Sequence, residues 1–252
     1  MAERVLPWQS AWVLGASSGI GAAVAQQLGR AGVKVAVSAR SVAALDQLAE
    51  EVQGLVSVPV DVTDEDSVRA SFDKVCRGVG VPELIIYCAA VYTPGGLSVL
   101  TAGEAMRHMD VNYGGAVRTL QAVLPAMTER GSGAIGIVSS LTGYAGLPNA
   151  SVYGPTKAAL ISLCETLKPE LDAVGIQLSV INPGFVRTPL TDKNEFEMPF
   201  IIEPDEAGSY IIKGMRKGTF DIAFPWQMAL ILRVLRHLPY SLYFRMMRRL
   251  LR

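Results

Sequence analysis

The segment Gly15-Ala-Ser-Ser-Gly19-Ile-Gly21 stands between a short apolar run at residues 11–14 and a helix-period stretch at 20–30. Glycines in that setting permit a tight turn and let backbone N–H groups approach a pyrophosphate at the positive end of the helix. A glycine triplet alone is weak evidence, because many loops carry one for packing. Its place after a strand and at the opening of a helix points to dinucleotide binding. Gly15, Ser17, Ser18, Gly19, Ile20 and Gly21 are therefore candidate cofactor contacts.

The rest of the chain continues the same alternation. Apolar runs at 11–14, 33–38, 55–60, 84–88, 134–139 and 177–181, with a seventh at 220–224, predict strands. Helical patterns fall at 20–30, 41–51, 64–76, 102–129 and 152–173, and Pro204-Asp-Glu206 opens another. Strands alternating with helices predict an α/β fold: a single doubly wound Rossmann-type domain, its parallel sheet of about seven strands covered by helices on both faces. Half of the 252 residues are hydrophobic and 18% are charged, which suits a buried parallel sheet. There is no repeat or Pro/Ser-rich linker, so residues 1–252 read as one domain.

Composition also excludes function classes. A formal net charge of zero argues against a general nucleic-acid binder. Cys76, Cys88 and Cys164 form no CxxC pattern, and only His108 and His237 are present, so no metal site is expected. The first apolar stretch runs straight into the glycine turn, unlike a signal peptide, and no run approaches a bilayer span. The expectation is a cytoplasmic protein.

The second predicted strand ends in Ala39-Arg40, where a chain that binds a free ribose 2′-hydroxyl usually carries an acid. A guanidinium suits a 2′-phosphate, so NADP(H) is expected in preference to NAD(H). Asp61 and Val62, after the third strand, either meet an adenine ring or, for Asp61, cap the next helix. Tyr153 and Lys157 share one helix face. Bringing a tyrosine from its usual pKa near 10 to about 7 takes about 4 kcal/mol, which an ammonium, a helix N-terminus and a cationic ring together can supply. Tyr153 then serves as general acid or base. Ser140, at the end of the fifth strand, would hold a substrate oxygen beside it. Asn112 is an unfavourable residue within a helical segment, either functional or structural.

In combination these motifs resemble a classical short-chain dehydrogenase/reductase over about residues 8–190. The carriers are the glycine turn, Asp61-Val62, Asn112, Ser140, Tyr153-Gly-Pro-Thr-Lys157 and Asn182-Pro-Gly-Phe-Val-Arg-Thr188. The resemblance implies catalysis by Ser140, Tyr153 and Lys157, with Asn112 holding a water that relays protons through Lys157. It implies cofactor contacts at Ala89, Ala90, Tyr153, Lys157, Pro183, Gly184, Val186 and Thr188, and a homodimer or homotetramer formed through helices 102–129 and 152–173. Two departures stand out. Tyr87-Cys88-Ala89-Ala90 replaces the usual Asn-Asn-Ala-Gly, and Pro169 lies inside the catalytic helix, where a kink is expected after the active residues.

On the substrate side, Tyr92, Tyr144, Leu147, Phe196, Met198 and Phe200 would line a mainly apolar pocket, under a lid at 189–203. The expected activity is hydride transfer between NADP(H) and a lipophilic carbonyl or secondary alcohol. The alternative is a catalytically silent cofactor-sensing binding protein on the same fold. A dinucleotide-dependent epimerase or dehydratase is disfavoured by the short glycine spacing.

Residues 226–252 hold six arginines and no acid, leaving a net charge of −6 on the remainder. Arg245, Arg248, Arg249 and Arg252 share one helical face, opposite Tyr243, Met246, Met247, Leu250 and Leu251. Before Pro239, Arg233, Arg236 and His237 repeat the scheme. Such a basic amphipathic extension either lies on a membrane surface or packs its apolar side on its own core or a partner subunit. The resemblance does not account for it.

Overall fold

Seven parallel strands form one sheet in the computed structural model, which describes residues 6–194 and 196–249. They are β1 (Ser10–Leu14), β2 (Lys34–Ser38), β3 (Leu55–Ser57), β4 (Leu84–Tyr87), β5 (Gly133–Val138), β6 (Ile176–Pro183) and β7 (Asp221–Phe224). Their order is β3-β2-β1-β4-β5-β6-β7, so the winding reverses between β1 and β4. That switch point is where open α/β sheets bind ligands. The predicted doubly wound sheet is observed.

Side-chain alternation along the strands divides the core. Trp12 and Leu14 of β1 face a layer built by α3 (Glu65–Val79), α5 (Gly115–Arg130) and α6 (Gly154–Ala173). Ala11 and Val13 face α1 (Gly19–Arg30), α2 (Val42–Glu51) and α7 (Pro204–Arg216). Both faces of the strands are buried, which is why they read as continuous apolar runs rather than alternating ones.

Three boundaries differ from expectation. The strand expected over 55–60 ends at Ser57, because Pro59 has no N–H for the ladder; Val58 and Val60 still donate to Val37 O and Ala39 O. The helix expected over 102–129 is instead α4 (Ala102–Met109), a π-helical turn (Asp110–Gly114) and α5. Pro169, where a kink was expected, lies inside α6, which continues as one helix to Ala173.

The arginine-rich extension forms α8 (Trp226–Arg236) and α9 (Tyr240–Met247), parted at Pro239. Ala229, Leu232, Leu235, Tyr243 and Met247 are buried against the α6 side of the body. Tyr243 Oη donates to Gly146 O, and Arg233 pairs with Asp221 of β7 at 2.6 Å. The reading in which the extension packs on its own core is therefore the observed one for this apolar side. Leu250, Leu251 and Arg252 lie outside the described residues.

Candidate active site

The strand ends at the switch point surround a cleft of about 530 Å³. Its floor is the turn between β1 and α1. Gly15 has a φ of +82°, and a Cβ there would stand 2.5 Å from Ala89 N, so the turn and the loop after β4 touch through backbone alone. At Gly21 a Cβ would stand 2.2 Å from Gly15 O, so the first turn of α1 needs glycine to approach the loop before it. All six turn residues named from the sequence line the cleft, as do Arg40, Asp61, Val62, Ala89, Ala90, Pro183, Gly184, Val186 and Thr188. The donor set fits a dinucleotide: glycine-rich backbone at a helix N-terminus for phosphates, and a base at one rim.

Arg40 is exposed at that rim and close enough to Asp61 to help hold its carboxyl below the usual range. The larger causes are the Thr63 backbone N–H and hydroxyl, which donate to Asp61 Oδ1 at 2.9 and 2.7 Å. Asp61 does not cap α3; Asp64 does, accepting from Asp66 N and Ser67 N. That leaves Asp61 as a wall residue of the cleft.

Ser140 follows β5, and Tyr153 and Lys157 open α6. Ser139 Oγ donates to Lys157 O at 2.7 Å and ties the two elements together. Lys157 Nζ donates to Val138 O at 2.9 Å and lies 5.4 Å from the Tyr153 ring centre. The lysine is fully buried, and burial lowers its pKa from 10.5 to about 8. Burial pushes the Tyr153 phenol well above 10; Tyr92 adds to this, and a hydrogen bond with Ser140 opposes it. The protein's own groups therefore keep Tyr153 protonated at neutral pH. Of the groups acting on the phenol only the Ser140 hydrogen bond lowers its pKa, and burial outweighs it.

Asn112 sits in the π turn, buried behind the cleft wall and not among the residues lining it. Its Oδ1 accepts from Val91 N at 2.7 Å, and its Nδ2 donates to Val91 O at 3.1 Å and Thr156 Oγ1 at 3.0 Å. No side-chain N–H remains for a water, so the side chain positions the loop after β4 against α6. The departure at Tyr87 has a structural compensation: its hydroxyl donates to Val111 O at 2.6 Å and ties β4 to the same turn.

A second cavity of about 420 Å³ adjoins the cleft. Ser140, Tyr153, Gly184, Leu190 and Thr191 line both. Of the residues expected to form the substrate pocket, Tyr92, Leu147, Phe196 and Phe200 line this cavity. Tyr92 meets the Tyr153 ring edge-on at 4.9 Å and donates to Asn194 Oδ1 at 2.7 Å, fastening the lid beside the tyrosine. Tyr144 and Met198 are corrections. Tyr144 donates to Asp221 at 2.7 Å, with Arg233 over its ring, so its polar end anchors α8. Met198 turns its sulfur to Asn194 Nδ2 at 3.3 Å, within the lid. Sequence reasoning missed Met228, Ile231, Leu235 and Met247, which bring α8 and α9 into the cavity wall. Their helical spacing was the available signal.

Among the described residues no cluster of His, Cys, Asp or Glu suits a metal, and no helix is long and apolar enough to cross a membrane.

The family model for short chain dehydrogenases matches residues 9–198. An uncharacterized oxidoreductase of Myxococcus xanthus is 36% identical over 99% of this chain and 100% of its own. A short-chain dehydrogenase structure from Streptomyces avermitilis superposes with a TM-score of 0.82 at 26% identity, covering 90% of this chain and 91% of that one. The structure of an actinorhodin polyketide ketoreductase with NADPH reaches 0.80 at 24% identity, over 88% and 97% of the two chains, and speaks to the fold. The chain belongs to the short-chain dehydrogenase/reductase family of oxidoreductases.

Proposed function

We propose that this protein is an NADP(H)-dependent oxidoreductase that interconverts a lipophilic carbonyl compound and its secondary alcohol. One observation carries the reading: Ser140 and Tyr153 stand at the seam between a glycine-floored cleft and a largely apolar cavity. Reacting groups held at such a seam meet cofactor and substrate at once.

When bound, the nicotinamide supplies or accepts a hydride. Tyr153 gives its proton to the developing alkoxide in reduction and takes it back in oxidation. Ser140 holds the substrate oxygen at the phenol, and Lys157 holds positive charge beside it. The protonated state that burial imposes on Tyr153 suits the reductive direction. Arg40, two residues past β2, with no acid at that point of the chain, supports NADPH over NADH. Family likeness supports a homodimer or homotetramer formed through α4–α5 and α6, which light scattering reads directly.

The test follows reduced-cofactor absorbance with NADPH and NADH against ketones and aldehydes of increasing chain length. NADPH oxidation that rises with chain length is expected. Tyr153→Phe should lower kcat/KM by about 10²–10⁴-fold with unchanged NADPH affinity. Turnover retained in Tyr153→Phe refutes the assignment, and NADPH binding without any turnover points to the cofactor-sensing alternative.

A further inference from the structure

The extension has two apolar faces, and the body covers one. Facing outward, Trp226, Leu230 and Val234 follow one another at helical spacing on α8, as do Tyr240 and Phe244 on α9. These five side chains are between 53 and 77% exposed, a cluster that a soluble surface rarely leaves open without use. Arg236 and Arg245 are exposed on the same two helices, and Arg248 and Arg249 in the turn after α9. Among the described residues the extension makes one ion pair, Arg233–Asp221, and no acid occurs between 226 and 252.

We infer that the outer face of α8 and α9 docks on an anionic lipid surface and turns the mouth of the substrate cavity toward the bilayer. Apolar side chains flanked by cations match the two layers they would meet, acyl chains and negatively charged headgroups. A second copy of the chain fits poorly. In a two-fold dimer this face meets itself, and arginine would oppose arginine with no acid to separate them.

The cavity supplies an independent reason. Ile231, Phe196 and Phe200 line it and are also 43 to 49% exposed, so they mark its mouth. Ile231 is the next residue after Leu230 on α8, which places the mouth at the margin of the docking face. Met228, Leu235 and Met247 continue the wall inward from the same helices. A carbonyl compound dissolved in the bilayer would pass from lipid to Tyr153 along apolar side chains. This entry route rests on the proposed activity; docking itself does not.

The experiment is co-sedimentation of the full chain with vesicles of phosphatidylcholine, with and without phosphatidylserine. Binding that needs phosphatidylserine and weakens with salt is expected. Changing Arg236, Arg245, Arg248 and Arg249 to Gln should weaken it by roughly fivefold per arginine. Trp226→Ser, Leu230→Ser and Phe244→Ser together should abolish it. These residues are exposed and line neither cavity, so thermal unfolding should change little. The triple variant should lose activity on a long-chain aldehyde presented in vesicles and keep activity on a short, soluble ketone. No preference of the native chain for phosphatidylserine vesicles overturns docking. So does a dimer by light scattering that the triple variant dissolves, since a second copy then covers the face. Vesicle binding with equal vesicle-substrate activity in both chains overturns the entry route alone. Absence of activity in both chains, with vesicle binding intact, refutes the proposed chemistry and leaves docking standing.

Discussion

Lys157→Met separates the stability of the fold from its chemistry. The ammonium is buried, and burial depresses its pKa from 10.5 to about 8. At about 1.4 kcal/mol for each tenfold change in proton affinity, that depression corresponds to about 3 kcal/mol against the charged form in the fold. Methionine removes this penalty but leaves Val138 O without its 2.9 Å donor, which costs about 1–3 kcal/mol. Near neutral pH the two effects roughly cancel. The pH dependence does not cancel. Between about pH 8 and 10.5 the unfolded chain binds more protons at this position than the native one, so the lysine protein gains stability as pH rises through that window. Urea unfolding followed by tryptophan fluorescence, at intervals from pH 7 to 10.5, should show the native chain gaining up to about 3 kcal/mol relative to the variant. All other titrating groups are common to both chains and drop out of the difference. A difference that stays flat or falls with pH would refute the claim that this lysine is held desolvated. Near neutral pH, activity of the variant should fall by about 100-fold or more, because positive charge at the phenol is gone, and the gap should narrow above about pH 8 as the native lysine loses its proton.

Further substitutions probe other parts of the site. Gly21→Ala forces a Cβ to within 2.2 Å of Gly15 O and should cost about 2–3 kcal/mol while weakening NADPH binding; equilibrium unfolding and fluorescence titration read both. Arg40→Asp should reverse the order of KM values for NADPH and NADH with little change in kcat, and an unchanged order would remove the basis for the NADP(H) preference. Tyr144→Phe takes a donor from Asp221 and should cost about 1–2 kcal/mol. Limited proteolysis should then cut first in α8 or α9, whereas an unaltered cleavage pattern would deny Tyr144 its anchoring role.

The parts legible in the sequence are those whose physics is local. A glycine turn between strand and helix reveals itself because close backbone contact admits no side chain, as at Gly15 and Gly21. Tyr153 and Lys157 declare themselves by helical spacing, and the seven strands by apolar runs that a sheet buried on both faces requires. Asn112 was conspicuous as an unfavourable helix residue, yet the π turn around it was not. That turn depends on hydrogen bonds to Val91 and Thr156, far away in the chain.

Tyr144 shows the limit most plainly. An aromatic residue after the serine suits a pocket wall by composition, and only the arrival of Asp221 and Arg233 makes it an anchor. The extension shows the same limit on a larger scale. Its periodicity determined two helices with cations on one side and an apolar stripe on the other. Which residues the body would cover was a matter for tertiary packing, since burial depends on the shape of the opposing surface. Packing placed Ala229, Leu232, Leu235, Tyr243 and Met247 inward and made α8 and α9 part of the cavity wall. It also left Trp226, Tyr240 and Phe244 in the open. Sequence alone thus determined the sheet, the glycine turn and the candidate Ser140, Tyr153 and Lys157 side chains, each encoded within a few consecutive residues. The boundaries of the cavity beside Tyr153 and the exposed face next to it were decided by tertiary structure, because they arise where segments distant in the chain meet.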